Sequence, residues 1–559
     1  MLEVHIEEKT IGSKLLFRDL ALRLSDGEKV AFIGRNGVGK STLFAVLAGR
    51  DDEYIGDIRR PRGLRIALTD QEYLPTGEQD ETVLDFLLRT NESYQELSRA
   101  IEAYADGGDQ RTDMASIEAY SHAIELYHQY GFDQIEQSLI KALEKYQISP
   151  QMSRGPLAAL SGGQKRFVQL VQIEFSHADF LLIDEPTNHM DYVAKDAFIN
   201  WLQQTSKQQT IAIITHDRDV LANVDRIIEL KDRSANSYRG NYEAYLRQNS
   251  TQTSNQMSQY EITQRRVAKL KQQIAYARSK KAGWSGTADK KNPFVVMETR
   301  LGKELHDLEQ TAKPSFWVDQ ESVQALSPQV AERYDKYKDR NISIALGQDQ
   351  TASLELVRVE DLSLGFEPAG ALFADVSFRL LTGEKLQIRG RNGAGKSTLI
   401  NCLRAAWQQT QPNSRVYAGT INCHPNLRIG YYEQEIGTEF IELPLVKAVE
   451  QAYHAAGRSL PHSRAMQILA EYLFDPPIDS QIPLRRLSGG QRARFQLIRM
   501  LAGDPNLLIL DEPTNHLDLP SIEELENALL RYTGAILYVS HDSYFAHNVG
   551  GHIVQIGRD

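Results

Sequence analysis

Hydrophobic and polar positions follow two rhythms along this chain. Short unbroken apolar runs, "FLLI" before Asp184, "LLIL" before Asp511, "TIAIIT" before His216 and "AILYVS" before His541, read as buried strands. Elsewhere apolar residues recur at three- and four-residue steps. "VLDFLLRTNESYQELSRAIEAYA" and "ASIEAYSHAIELYHQYG" have that helical pattern, with "DGGDQRTD" as a break, and predict a helical hairpin over about 85–140. Met257, Tyr260, Gln264, Val267, Leu270, Ile274 and Ala277 form a narrow coiled-coil stripe on a helix of about 33 residues, roughly 50 Å long. Phe294, Met297, Leu301, Leu305 and Leu308 repeat the spacing beyond "SKKAGWSGTADKKNP" (279–293). Two such helices meeting at a break with Gly and Pro predict an antiparallel hairpin. Pro314 should end or bend the second helix, Phe316 and Trp317 read as packing residues, and Tyr334 to Arg340 reads as a short amphipathic return.

The strand-like runs belong to a duplication. "GRNGVGKSTL" (34–43) returns as "GRNGAGKSTL" (390–399), "LSGGQKRFVQL" (160–170) as "LSGGQRARFQL" (487–497), and "LLIDEPTNHMD" (181–191) as "LILDEPTNHLD" (508–518). "THD" (215–217) returns as "SHD" (540–542), in the same order. In the first block, glycines let consecutive backbone N–H groups curl round a phosphate chain at a helix N-terminus. Gly34, Asn36, Gly37, Gly39, Lys40, Ser41 and Thr42, with Gly390, Asn392, Gly393, Gly395, Lys396, Ser397 and Thr398, are the candidate nucleotide-binding residues. The lysines can reach the outer phosphates and the serines can ligate magnesium. Asp184 and Asp511 emerge at strand ends, where they can hold the metal shell. Glu185 and Glu512 follow and can polarise an attacking water; His216 and His541 end a further strand facing the same cleft. Gln71 and Gln434, at matching places after "RIA" and "RIG", can sense the metal or the water.

On these residues the chain resembles an ATP-binding cassette ATPase, "LSGGQ" being the signature of that superfamily; the resemblance covers nearly all of 1–245 and 341–559. It implies an α/β fold of two P-loop cassettes in tandem, joined by an antiparallel α-helical hairpin over 246–340. It further implies head-to-tail pairing within one monomer. The site of Lys40, Ser41, Gln71, Asp184, Glu185 and His216 would then face Ser488, Gly489, Gly490 and Gln491. The site of Lys396, Ser397, Gln434, Asp511, Glu512 and His541 would face Ser161, Gly162, Gly163 and Gln164. A small hydroxyl and two glycines at a helix N-terminus make a second anion cradle, which agrees. Family members place an aromatic ring under the adenine: Phe366 occupies that place in the second half, whereas the first half has Ile11, so base discrimination should be weaker there.

"EPTNHMD" and "EPTNHLD", two cassettes in one chain and a charged helical linker resemble the ABC-F branch, which lacks a transmembrane domain. That resemblance implies ATP and Mg2+ as ligands and the ribosome as partner. The arm over 85–140 would dock at the exit-site stalk, and the hairpin would reach toward 23S rRNA, the P-site tRNA and the peptidyl-transferase centre. Composition sharpens the last point. The net charge is −11, yet Glu261 to Asn292 carries nine Lys or Arg against two Asp or Glu. Lys280, Lys281, Lys290 and Lys291 can neutralise phosphates and Trp284 can stack on a base, making this turn a candidate RNA probe. Protection against peptidyl-transferase drugs is the expected use, with relief of stalled peptide-bond formation as the alternative. An exporter subunit or a DNA-associated ATPase are the remote ones. No run approaches the ~18 apolar residues of a membrane span. "MLEVHIEEKT" does not read as a secretory signal, and "GGHIVQIGRD" ends directly on a cassette strand, without the C-terminal coiled coil of DNA-binding relatives. Cys402 and Cys423, the only cysteines, suit a reduced cytoplasmic setting.

Overall fold

A computed structural model describes residues 1–12, 14–69, 81–105, 114–188, 190–205, 209–281, 293–309, 342, 354–367, 370–433 and 437–557. Gln71, Gln434, the "DGGDQRTD" break, Trp284, Lys290, Lys291, Pro314, Phe316, Trp317 and the Tyr334–Arg340 return lie outside the described residues.

The first cassette opens with β1 (Leu2–Ile11) and β2 (Lys14–Leu24), an antiparallel hairpin that pairs through β1 with β4 (Ile55–Arg59). The larger sheet has the order β5 (Ile66–Leu68), β6 (Phe180–Asp184), β7 (Thr210–Ile214), β3 (Lys29–Ile33), β8 (Arg226–Lys231), β9 (Ser234–Arg239), parallel except for the β8–β9 pair. All residues of β6 and β7 are buried, as expected of unbroken apolar strands covered on both faces. The second cassette repeats the plan. A small antiparallel sheet joins β10 (Glu355–Phe366), β11 (Gly370–Leu381) and β13 (Arg415–Cys423). A parallel sheet has the order β14 (Ile429–Tyr432), β15 (Leu507–Asp511), β16 (Ala535–Val539), β12 (Lys385–Arg389), β17 (His552–Gln555). Helices on the sheet faces close two apolar clusters per cassette.

The order β6–β7–β3, and β15–β16–β12 in the second half, decides where chemistry can occur. It places the carboxyl ends of the Asp184, His216 and P-loop strands side by side, although the P-loop lies more than a hundred residues before the other two. In such sheets the crevice beyond the carboxyl ends is the binding place.

The arm differs in detail from the pattern's continuous reading. Helix Val83–Thr90 stops at Asn91, whose side-chain oxygen accepts from the N–H of Tyr94 while its amide donates to the Phe175 carbonyl. A new helix, Glu92–Ala105, starts there and pairs with Met114–Gln129. Tyr104 stacks on Tyr120 at 4.2 Å, and Tyr94 meets Tyr127 at 6.1 Å, an antiparallel register. Asn caps helices better than it continues them, which the apolar rhythm does not register.

Residues Glu243–Asn341 form a compact unit of their own. Its first helix runs Tyr242–Lys281, 40 residues rather than about 33, or ~60 Å. It begins four residues before the 246 boundary read from the sequence, because nothing after Gly240 breaks a helix. Val267, Leu270, Ile274 and Ala277 are buried, whereas Gln264 is exposed, its amide being better solvated by water. The second helix, Pro293–Glu309, turns Phe294, Met297, Leu301, Leu305 and Leu308 part-way out of solvent. Ion pairs Arg266–Glu304 (2.6 Å) and Arg278–Glu298 (2.8 Å) fix the antiparallel register.

Candidate ATP sites

Each P-loop leads into its helix, Lys40–Ala48 or Lys396–Gln408, through a glycine in the left-handed region, Gly39 (φ 105°) and Gly395 (φ 98°). A Cβ would also strike the hairpin beneath it, 2.8 Å from Phe17 or 2.9 Å from Phe373. Glycine is thus required twice over, by backbone and by packing, and the loop's N–H groups are left lining a concave turn. Lys40 and Lys396 fold over these turns. Lys40 Nζ donates to the Gly34 carbonyl (2.6 Å) and to His216 Nε2 (3.0 Å); Lys396 Nζ donates to the carbonyls of Gly390 (2.8 Å) and Arg391 (3.0 Å).

The groups read as acid–base and metal-holding converge on the same place. Ser397 Oγ donates to Asp511 Oδ2 at 2.9 Å, so a hydroxyl and a carboxylate already meet beside the second P-loop. Burial raises the Asp511 carboxyl above its ordinary value, which means that a cation there would be welcome. Asp184 is likewise buried, its N–H donating to Thr69 Oγ1 (2.9 Å). His216 Nε2 lies 3.7 Å from Glu185 Oε1, and His541 Nε2 lies 3.3 Å from Glu512 Oε1. Burial, helped by the neighbouring lysine, lowers both histidines to about 3, so they are neutral imidazoles at pH 7.

Glu185 and Glu512 have φ of 47° and 50°, a left-handed backbone that costs a non-glycine residue about 1–3 kcal/mol. Each is held there by its N–H, which donates to the last carbonyl of the adjacent strand, Ile214 (2.8 Å) or Val539 (3.0 Å). The bend turns the glutamate off the axis of the aspartate strand. Burial raises Glu185 to about 8 and Glu512 to about 7 from 4.5. Folding therefore takes up protons between pH 4.5 and those values, and the free chain loses stability as pH rises through that window. Glu512→Gln keeps the shape without the ionisation. Its melting temperature should match wild type near pH 4.5, exceed it increasingly as pH rises to about 7 and level off above, by roughly 2–4 °C per kcal/mol relieved. A constant offset across a pH series of melts would refute the assignment.

Across the cassettes, the first P-loop meets the second signature. Asn36 Nδ2 donates to the His516 carbonyl (2.8 Å), its N–H donates to Asp518 Oδ2 (3.2 Å), and its amide lies where a Cβ on Gly490 would sit, 2.2 Å away. In the other direction the Asn392 N–H donates to Asp191 Oδ2 at 2.8 Å. Asp191 and Asp518 close the "DEPTNH" motifs and N-cap the helices Tyr192–Gln204 and Leu519–Arg531. Their part in this interface was not singled out from the sequence; an aspartate immediately before a helix was the available signal. The signature serines and glutamines do more than line a cradle. Ser161 with Gln164, and Ser488 with Gln491, form reciprocal capping boxes, with the glycines Gly162, Gly163, Gly489 and Gly490 as the first helical residues. Ile11 and Phe366 stand at matching ends of the β1–β2 and β10–β11 hairpins, both exposed. Lys280 is exposed near the end of the 40-residue helix, which Lys281 closes.

A family model described as ABC transporter matches residues 17–188 and 373–515, and a second of the same description matches 228–292. "Putative ATP-binding protein YdiF" of Bacillus subtilis is 30% identical over 100% of this chain and 80% of its own length. "ABC transporter F family member 5" of Arabidopsis thaliana is 26% identical over 98% of this chain and 74% of its own length. The chain belongs to the ABC-F family. As an ABC-F protein it is an ATP-binding cassette ATPase. Its fold is shared with the archaeal ribosome recycling factor aABCE1, solved in complex with the ribosomal stalk protein aP1: TM-score 0.56, 16% identity, 99% of this chain and 87% of that one. Among the described residues of this ABC-F chain, no helix is long and apolar enough to cross a membrane.

Proposed function

We propose that this ABC-F chain is an ATP-switched ribosome factor whose two composite sites close on ATP and open after hydrolysis. In each site the P-loop lysine and backbone N–H groups hold the phosphates, and the opposite signature helix covers them. Ser41 with Asp184, and Ser397 with Asp511, would hold Mg2+, which supplies charge neutralisation on the phosphates when bound. Glu185 and Glu512 orient the attacking water, and the neutral His216 and His541 hold the outer phosphate by hydrogen bonding. The cross-cassette contacts of Asn36 and Asn392 support the composite reading.

Ribosome binding at the exit site, with the hairpin directed to the P-site tRNA and peptidyl-transferase centre, rests on one observation above all. An acidic chain concentrates a local charge of +7 between Glu261 and Asn292, a stretch that takes in the outer part of the 40-residue helix. That pattern suits a polyanionic surface, and a nucleic acid is the one we favour. Protection against peptidyl-transferase inhibitors is the use we favour, in a cytoplasmic monomer. Neutralising Lys280, Lys281, Lys290 and Lys291 should weaken ribosome co-sedimentation and flatten its salt dependence, by up to about 0.7–0.9 in log–log slope per phosphate contact. Trp284→Ala should spare ribosome-free hydrolysis and reduce translation in the presence of inhibitors, by about 1–3 kcal/mol of lost stacking per base. A loss of unaided translation on difficult sequences instead would favour the housekeeping role. If both variants match wild type in every assay, the hairpin does not read RNA.

A further inference from the structure

The hairpin that carries Ile11 also carries a cation that reaches the first P-loop. Lys14 opens β2, directly across the hairpin end from Ile11 in the pairing register. Its Nζ donates to the Gly37 carbonyl at 2.8 Å. Gly37 has φ 78°, and the point where a Cβ would sit there is open apart from that Nζ, 3.7 Å away. Lys14 therefore closes the side of the loop that faces the hairpin. Lys40, at the head of the following helix, is engaged elsewhere, with the Gly34 carbonyl and His216.

The setting of Lys14 differs from that of a structural lysine. Lys9 of the same hairpin is buried and held by Asp51 (2.6 Å) and the Glu53 carbonyl (2.8 Å). Lys14 is exposed, and among the described residues no carboxylate stands within ion-pair distance of it. An ammonium has three donors, and one neutral carbonyl takes up only one of them. A phosphate oxygen is the stronger acceptor, because the hydrogen bond is then charge-assisted. The position of the side chain says which phosphate. A nucleotide in the first site has its outer phosphates in the P-loop and its base toward the hairpin end, where Ile11 stands exposed. Lys14 starts beside Ile11 and ends on the P-loop, so it spans the stretch between them, the ribose and the phosphate attached to it.

Resting on the reading of the first P-loop as a nucleotide site, we propose that Lys14 is a nucleotide-contacting residue there, its ammonium binding the phosphate next to the ribose. On nucleotide binding it leaves the Gly37 carbonyl for that phosphate. The ligand class it selects is a triphosphate chain, and it takes no part in reading the base.

The test uses the full-length chain carrying Glu185→Gln, which keeps nucleotide unhydrolysed in the first site, and Lys396→Ala, which weakens the second. Competition against a fluorescent ATP analogue, with magnesium present, gives Kd for ATP, GTP and inorganic tripolyphosphate. Lys14→Met should weaken all three by a similar factor, about tenfold, as expected of an exposed charge-assisted hydrogen bond. The loss should shrink to about twofold as salt rises from about 0.05 to about 0.5 M, because a charge at an exposed position is screened. Lys14→Arg, which keeps a cation there, should bind all three within about threefold of the parent. Lys14 is exposed, so the variants should melt with the parent. No loss of affinity, a loss that spares any of the three ligands, a loss that salt leaves unchanged, or Lys14→Arg as weak as Lys14→Met would overturn the proposal. Lys40→Ala in the same background separates the two failures: if it binds ATP as the parent does, the assignment of the nucleotide site has failed, not the role of Lys14.

Discussion

Glu185→Gln together with Glu512→Gln leaves ATP bound and stops its hydrolysis. Each glutamate follows a buried aspartate, sits on a left-handed backbone fixed by the neighbouring strand, and lies within 3.7 Å (Glu185) or 3.3 Å (Glu512) of its histidine. Nothing in that geometry binds phosphate; a carboxyl there acts on the water. Glutamine keeps the size and loses the basicity, so nucleotide affinity should be retained while turnover falls by about 10²–10⁴-fold, the range of a general base. Glutamine also removes the cost of ionising a carboxyl that burial and a neighbouring aspartate disfavour, which favours closure. Steady-state phosphate release and retained radiolabelled ATP are the measurements. Turnover within a few-fold of wild type would place the base elsewhere.

Gly490→Ala should cripple the first site without touching its P-loop. The new methyl would lie 2.2 Å from Asn36 Nδ2, 2.8 Å from Cγ and 3.0 Å from Cβ. More than a flexible tip is in the way, so the loop and the signature helix must move apart. Asn36 would then lose its bonds to His516 and Asp518, which join the two cassettes. A displacement on the ångström scale in a composite site costs about 10²-fold in rate. With the second site silenced by Glu512→Gln, ATP hydrolysis should drop by that order, while ATP binding to the open chain should change less than threefold. A variant hydrolysing at the parental rate would show that the halves need not approach this closely.

Local signals carried much of this molecule. The β6, β7, β15 and β16 runs are unbroken and apolar because those strands are buried on both faces, and each ends on its motif residue. The hairpin stripe was readable because Val267, Leu270, Ile274 and Ala277 keep helical spacing. Where reading failed, a local competitor outweighed periodicity. Asn91 ended a helix by capping the next, Gln264 took the water side of a stripe, and the long helix started at Tyr242 because nothing stopped it.

What the sequence by itself determined was therefore the repeat, most strands and helices, and a candidate set of residues for phosphate chemistry, since each depends on neighbours a few positions away. The tertiary structure alone decided the strand order that brings three motif-bearing ends together and the positive φ of Glu185 and Glu512. It also decided that Asn36 meets Gly490 and that Arg218 meets Glu526 across 308 positions of chain. The reason is physical. Such contacts are made by packing two separately folded cassettes against each other, and no local preference for helix, strand or turn encodes which distant surfaces will fit.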